Sequence, residues 1–291
     1  MSRPSLRTVR VREGSGAAKP RIRKRVSVRQ RKIRGFLDRF VPALVPVLFL
    51  LTWYLVTLGS WVSPHILPSP GAVKDAFLSV WRNGELMADL EVSTRRALTG
   101  LAFGAGLGFV FGVISGAIPF ADKLLDSTVQ MLRTVPSLAM IPLLIMWFGI
   151  GEETKVILVA IATFFPLYLN TYQGIRYADK GLQEMGRIYG LGPWGLFRHV
   201  IFPGAIPSVL VGLRFSLGMM LLTLVGAEGL AADSGIGYMT TTAREFMRTD
   251  VVLLGTLIYA FLGKSTDLAA KFLERRLLPW HPNHQPKPRT S

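Results

Sequence analysis

The stretch EMGRIYGLGPWGLFRHVIFP, residues 184–203, decides between two folds. Its glycines Gly190, Gly192 and Gly195 have the G-x-G-x-x-G spacing that cradles a dinucleotide pyrophosphate at the start of a helix in an α/β domain. That use needs a strand before the first glycine and an acid about 20 residues after it. Before Gly190 the chain reads DKGLQEMGRIY, where Leu182, Met185, Ile188 and Tyr189 recur at helical spacing. No Asp or Glu occurs between Glu184 and Glu228. The glycine match is therefore accidental, and the segment takes its meaning from the apolar runs on either side of it.

There are several such runs, and no soluble fold needs several uncharged stretches of about 18 residues, the length that crosses a bilayer as a helix. They cover 41–58, Ala97–Ala121 (its apolar heart at 97–118), Thr134–Gly151, Val156 to Ile175, Val200–Ala227 with Arg214 as its one charge, and Val251–Gly263. The last is short, and it extends through STDLAAKFLERR as a helix with Asp267 and Lys271 at i,i+4. This predicts an all-α membrane protein with six transmembrane helices and both termini on one side.

The positive-inside rule selects that side. Residues 1–34 hold 13 of the 34 Lys and Arg against the single acid Glu13. The 176–199 loop adds Arg176, Lys180, Arg187 and Arg198 against Asp179 and Glu184. By contrast, 152–155 and 228–250 are acid-rich, and 60–96 is balanced. Both termini and the 184–203 segment are thus expected in the cytoplasm. The basic tail, 1–35, is expected to be disordered and to lie against anionic lipid headgroups. It has no aromatic residue before Phe36 on which bases could stack, so no nucleic-acid partner is expected. In the first loop, Ser69 followed by Pro70 predicts a helix start, with Val73, Phe77 and Trp81 sharing a face.

Inside the second run, Gly100, Gly104, Gly108, Gly112 and Gly116 recur every fourth residue. Such a stripe lets another helix backbone approach closely. It serves either a seam between two copies or packing within the chain, and both readings are open. None of the six apolar cores contains Asp or Glu, which argues against an ion-coupled secondary carrier. Arg214 is the exceptional charge, about 16 Å beyond Pro203 if the helix is regular. It is read either as a cationic wall of an anion pathway or as a structural arginine bonded to neighbouring spans.

The chain offers no chemistry of its own. It has no cysteine, which excludes thiolate metal sites and cysteine nucleophiles. The histidines His65, His199, His281 and His284 are scattered, leaving no metal motif. LGKST, 262–266, is not a P-loop, because Ile258 stands where the first glycine must be. No cofactor site is therefore expected in this chain.

Read whole, 184–203 resembles the EAA loop of ABC-transporter permeases: E-A-A, three residues, glycine, nine residues, then I-x-L-P. Glu184 is followed by Met185 and Gly186 instead of two alanines; Gly190 is in register, and Val200-Ile201-Phe202-Pro203 closes the motif. The similarity runs over roughly 36–282, with 93–275 as its core, and leaves 283–291 as a C-terminal tail. Stretches ILPSP (66–70), QMLRTVPSLAMIPLLIMWFGIG (130–151), DSGIGY (233–238) and AREFMRTDVV (243–252) resemble the permease subunit of aliphatic sulfonate importers, in a branch shared with taurine and nitrate permeases. The resemblance implies a type I importer permease of the bacterial inner membrane, working as a homodimer and not itself an enzyme. It further implies two separate ATPase subunits that hold ATP and magnesium, and an extracytoplasmic substrate-binding protein. Glu184, Met185, Gly186, Arg187, Tyr189, Gly190 and Pro203 would then form a coupling helix and its exit, seated in a groove of the ATPase. A stand-alone channel or secondary carrier is the competing class, and the coupling loop weighs against it.

Overall fold

The computed structural model describes residues 44–279. The predicted tails, 1–35 and 283–291, and His281 and His284 lie outside the described residues. Every regular element among the described residues is helical. The first, α1 (Leu44–Leu58), is a short apolar helix; from Trp53 onward the chain is one compact unit.

That unit is built on three long helices: α3 (Glu85–Ala117), α6 (Glu152–Arg176) and α9 (Phe202–Ala231). α6 lies between the other two and packs along both. Local chemistry sets the bounds of α3. It begins after Gly84, whose φ of +79° suits glycine. It ends at Ile118, which is forced into an extended conformation by the following Pro119.

The five-glycine stripe of α3 lies against α6 of the same chain. A Cβ built on Gly104 would stand 2.0 Å from the Ala160 carbonyl oxygen, and one on Gly108 would stand 2.4 Å from that of Phe164. Gly100 meets Val159, Gly112 meets Thr171, and Gly116 meets Ile175. Gly106, off the stripe, faces open space. The repeat of four thus runs one helix backbone along another, where dispersion over many atom pairs holds the two together in lipid.

Three expectations need correction. The run 134–151 is not one straight helix. α4 (Pro119–Leu132) and the piece Ser137–Phe148 are bent by 82° at a break, and the second piece is a 3-10 turn followed by α5 (Ile141–Phe148). Pro136 and Pro142 explain this, since neither can donate to a helical ladder. Next, the fifth run is longer than expected: α8 (Pro193–Leu196), a π-helical turn over Phe197–Ile201, and α9 form one span of 39 residues. The π turn precedes Pro203, which has no N–H for the usual bond, and the Phe202 N–H reaches back to the Phe197 carbonyl. Lastly, α2 (Pro70–Arg82) starts where expected, capped by the Ser69 hydroxyl accepting from the Ala72 N–H. Its buried face, however, is Val73, Ala76 and Val80. Phe77 and Trp81 are partly exposed and tilt against each other, with ring centroids 5.7 Å apart.

Two further helices, α10 (Ile236–Glu245) and α11 (Thr249–Leu277), pack against α9. α11 carries the Lys271–Asp267 pair at 2.9 Å. Four helices are long and apolar enough to cross a membrane, or five if the bent pair counts as one span. The bundle has two distinct ends. One holds the start of α6, the close of α9 and the α2–α10–α11 cluster; the other holds the close of α6 and the segment 180–203.

Candidate functional site

At the second end lies α7 (Lys180–Ile188), an amphipathic helix of nine residues. Asp179 starts it by accepting from the Gly181 and Leu182 N–H groups. Gly190 ends it with φ +80°. The Leu191 N–H donates to the Gly186 carbonyl and the Gly190 N–H to that of Arg187, which is the Schellman arrangement for closing a helix. A left-handed residue is required at that point, and this is the structural reason for the first glycine of GLGPWG.

α7 is held on one side only. Gly186 is buried, and a Cβ there would approach Leu196 Cδ1 to 2.9 Å. Its other apolar side chains are uncovered: Leu182 and Met185 are half exposed, and Ile188 is 84% exposed, with Tyr189 nearly as open. Met185, Gly186, Tyr189 and Pro203 come together around a cavity of about 410 Å³. Arg187 instead faces a larger cavity of about 790 Å³, walled by the ends of α3 and α6 and by Trp194 and Phe197. Glu184 lines neither, and it forms no ion pair with Arg187 among the described residues. The segment therefore presents apolar side chains, a free acid and a free base outward on a capped helix. Such a face is open to a partner, and the turn that follows it serves to close the helix.

Arg214 lies in α9 and pairs with Asp267 of α11, which also pairs with Lys271. Its side chain is 53% exposed. Its charge is met by a neighbouring span of the same chain.

The largest charge cluster sits at the opposite end of the bundle and was missed by sequence reasoning. Arg96 is 1% exposed and Glu228 fully buried. All five guanidinium N–H donors of Arg96 are used. Nε and Nη2 grip the Glu152 carboxylate at 2.7 and 2.5 Å, Nη1 reaches Glu228 at 3.0 Å and the Ser234 carbonyl at 2.6 Å, and Nη2 also reaches the Ser234 hydroxyl at 3.1 Å. Glu228 accepts further from the Ser93 hydroxyl, the Gly237 N–H and the Tyr259 hydroxyl. Lys155, also buried, pairs with Glu152 at 3.0 Å. Two buried cations thus meet two carboxylates, with the exposed Arg95 at 4.0 Å from Glu152, and α3, α6, α9, α10, α11 and the 232–235 turn are tied together.

This corrects the expectation that no acid lies inside a span. Glu228 was placed in a loop because the uncharged run stops at Ala227; α9 in fact continues to Ala231. Gly235 and Gly237 carried the available signal. A Cβ on either would fall 2.6 Å from Glu228 atoms, so DSGIGY is glycine-rich to let its backbone close over a carboxylate. Among the described residues no group of three or more His, Asp or Glu could hold a metal.

Comparison with known proteins agrees with this architecture. Residues 108–279 match the family described as binding-protein-dependent transport system inner membrane component. Over 258 residues, 89% of this chain and 98% of the relative, the sequence is 49% identical to the Escherichia coli (strain K12) protein named aliphatic sulfonates transport permease protein SsuC. The Bacillus subtilis (strain 168) protein of the same name is 40% identical over 83% of this chain and 88% of its own length. The taurine transport system permease protein TauC of Escherichia coli (strain K12) is 33% identical over 89% of this chain and 97% of its own. Among solved structures, the crystal structure of an amino acid ABC transporter with histidines shares the fold, with a TM-score of 0.55 at 19% identity, covering 69% of this chain and 97% of that one. A span-rich helical bundle, a capped amphipathic helix at one end and a family match over more than half its length lead to one conclusion: this chain belongs to the inner-membrane components of binding-protein-dependent transport systems, and is a permease.

Proposed function

We propose that this permease imports aliphatic sulfonates, powered by ATP held on separate subunits. The uncovered face of α7 carries the reading. Leu182, Met185, Ile188 and Tyr189 are left bare on a helix anchored to α8 at Gly186. Bare apolar side chains on a capped helix call for a partner groove. In this reading α7 is the coupling helix, and two ATP-binding subunits supply the groove along with ATP and magnesium. The chain works as a type I importer permease in a homodimer, and an extracytoplasmic binding protein delivers substrate. Glu184 and Arg187 meet charges on the ATPase, and Pro203 stands in the first turn of α9, the helix that α7 moves. Six crossings with both termini in the cytoplasm follow if α1 spans together with the four long helices and the bent pair. The domain division then runs as 1–35 tail, 36–282 permease and 283–291 tail.

The relatives named for aliphatic sulfonates support the substrate class. Deleting the gene is expected to abolish growth on ethanesulfonate as sole sulfur source, with growth on sulfate unchanged. Continued growth of the deletion strain on ethanesulfonate at the parental rate would overturn the substrate assignment.

A further inference from the structure

Arg133 stands at the break in the bundle, and among the described residues no carboxylate meets it. Among the described residues, Arg96, Arg176 and Arg214 each pair with an acid, whereas Arg133 has no ion pair and no side-chain hydrogen bond. It caps α4, directly at the 82° break. Pro136 enforces that break and also pushes Val135 away from helical geometry.

The break opens onto a cavity of about 320 Å³, where Arg133, Pro136 and Ser137 face Phe165 and Leu169 of α6 and Met219 of α9. These α6 residues lie near the middle of their helix, roughly 10 Å or more from either end at 1.5 Å per residue. Met219 is likewise central in α9. An unpaired guanidinium at such depth is costly, and intramembrane charges of this kind mark the path of a substrate or ion. Discontinuous helices near the midplane are also where transporters build their sites, because the break frees polar groups from the helical ladder.

The cavity has two chemistries. One wall carries a guanidinium and the Ser137 hydroxyl, which has no hydrogen-bond partner among the described residues. The other walls are apolar. We propose that Arg133 receives the anionic head group of the substrate during passage, a sulfonate held by paired N–H donors with Ser137 beside it, while Phe165, Leu169 and Met219 flank an aliphatic chain. Arginine suits this role because its planar fork grips two oxygens at once. A single cation also holds loosely enough to release what it binds, as a conduction path requires. The choice of sulfonate rests on the import reading above; the anion site rests on the geometry of the break.

The native chain has no cysteine, so Ser137→Cys introduces one thiol per permease chain, followed by labelling on the permease itself within the assembled transporter. Its modification rate is measured with sulfonatoethyl methanethiosulfonate, which carries an ethanesulfonate head, and with the cationic trimethylammonioethyl reagent. Adding Arg133→Gln is expected to lower the anionic-to-cationic rate ratio at least about tenfold, the effect of removing a full charge close to the thiol. Adding Arg133→Lys is expected to keep most of the ratio. Met219→Cys repeats the measurement from the opposite wall, should a cysteine at 137 disturb the break. A ratio unchanged by Arg133→Gln from both walls would overturn the site. Uptake of ethanesulfonate by the wild-type complex is read in parallel. A ratio that falls in a complex with no such uptake would uphold the anion site and sink only the sulfonate reading.

Discussion

Glu228→Ala is expected to cost about 3–5 kcal/mol of stability, enough to remove most of the chain from the membrane. The carboxylate is fully buried, and its loss leaves Arg96 facing Glu152 with one charge less to balance it. Ser93, the Gly237 N–H and Tyr259 lose their acceptor in the same step. Arg96→Leu is expected to be as damaging, since it strands Glu228 and empties five donor positions. The double variant Arg96→Met with Glu228→Leu should recover part of the loss, because removing both partners leaves no lone charge between them. Asp250→Asn is the control. Its pair with Arg248 is longer, at 3.8 Å, and partly exposed, so the change should cost less than about 1 kcal/mol. Yield of monodisperse protein after detergent extraction, and its thermal midpoint, read all four. A Glu228→Ala chain that accumulates and melts like the parent would show that this end of the bundle does not depend on the ion pair.

The second large effect is functional. Gly190→Asp is expected to abolish uptake while leaving insertion and yield near the parental level. A Cβ at Gly190 meets nothing within 4 Å, so no clash unfolds the protein. The φ of +80° nevertheless disfavours most side chains by roughly 1–2 kcal/mol, Asp less than most, so the Schellman closure of α7 is weakened but not lost. The added carboxylate also lies beside the bare face of Leu182, Met185 and Tyr189. Substrate-dependent stimulation of the partner ATPase reads the result, and stimulation equal to the parent would count against a coupling role for α7.

Much of this architecture was legible in the chain. Uncharged runs of bilayer length marked the long helices, and the glycines from Gly100 to Gly116 marked a close helix contact. Ser69-Pro70 marked the start of α2. What was hidden has physical causes. Residues 134–151 pass any test of hydropathy, yet Pro136 and Pro142 divide them; composition does not report the direction of a backbone. Arg96 and Glu228 bounded uncharged runs and so were read as loop residues, although mutual neutralisation lets them sit inside helices. Pairing across 132 positions of sequence leaves no local trace. The same limitation made Arg214 look like the exceptional charge. Its partner Asp267 lies on another helix, while Arg133, at the edge of a run, passed as an ordinary boundary. The 182–190 segment was the most readable part, because the apolar spacing of α7 and the Gly190 turn are both local; the Asp179 cap went unread.

In the proposed mechanism, substrate moves through this permease only when α7 is driven by an ATPase on another chain. The direct measurement is uptake of radiolabelled ethanesulfonate into proteoliposomes. It compares the permease alone with the permease assembled with its ATP-binding subunits and binding protein, with and without ATP. Uptake is expected only with the full assembly and ATP, and none from the permease alone under any ion gradient. Uptake by the permease alone, driven by a gradient and indifferent to ATP, would contradict this mechanism.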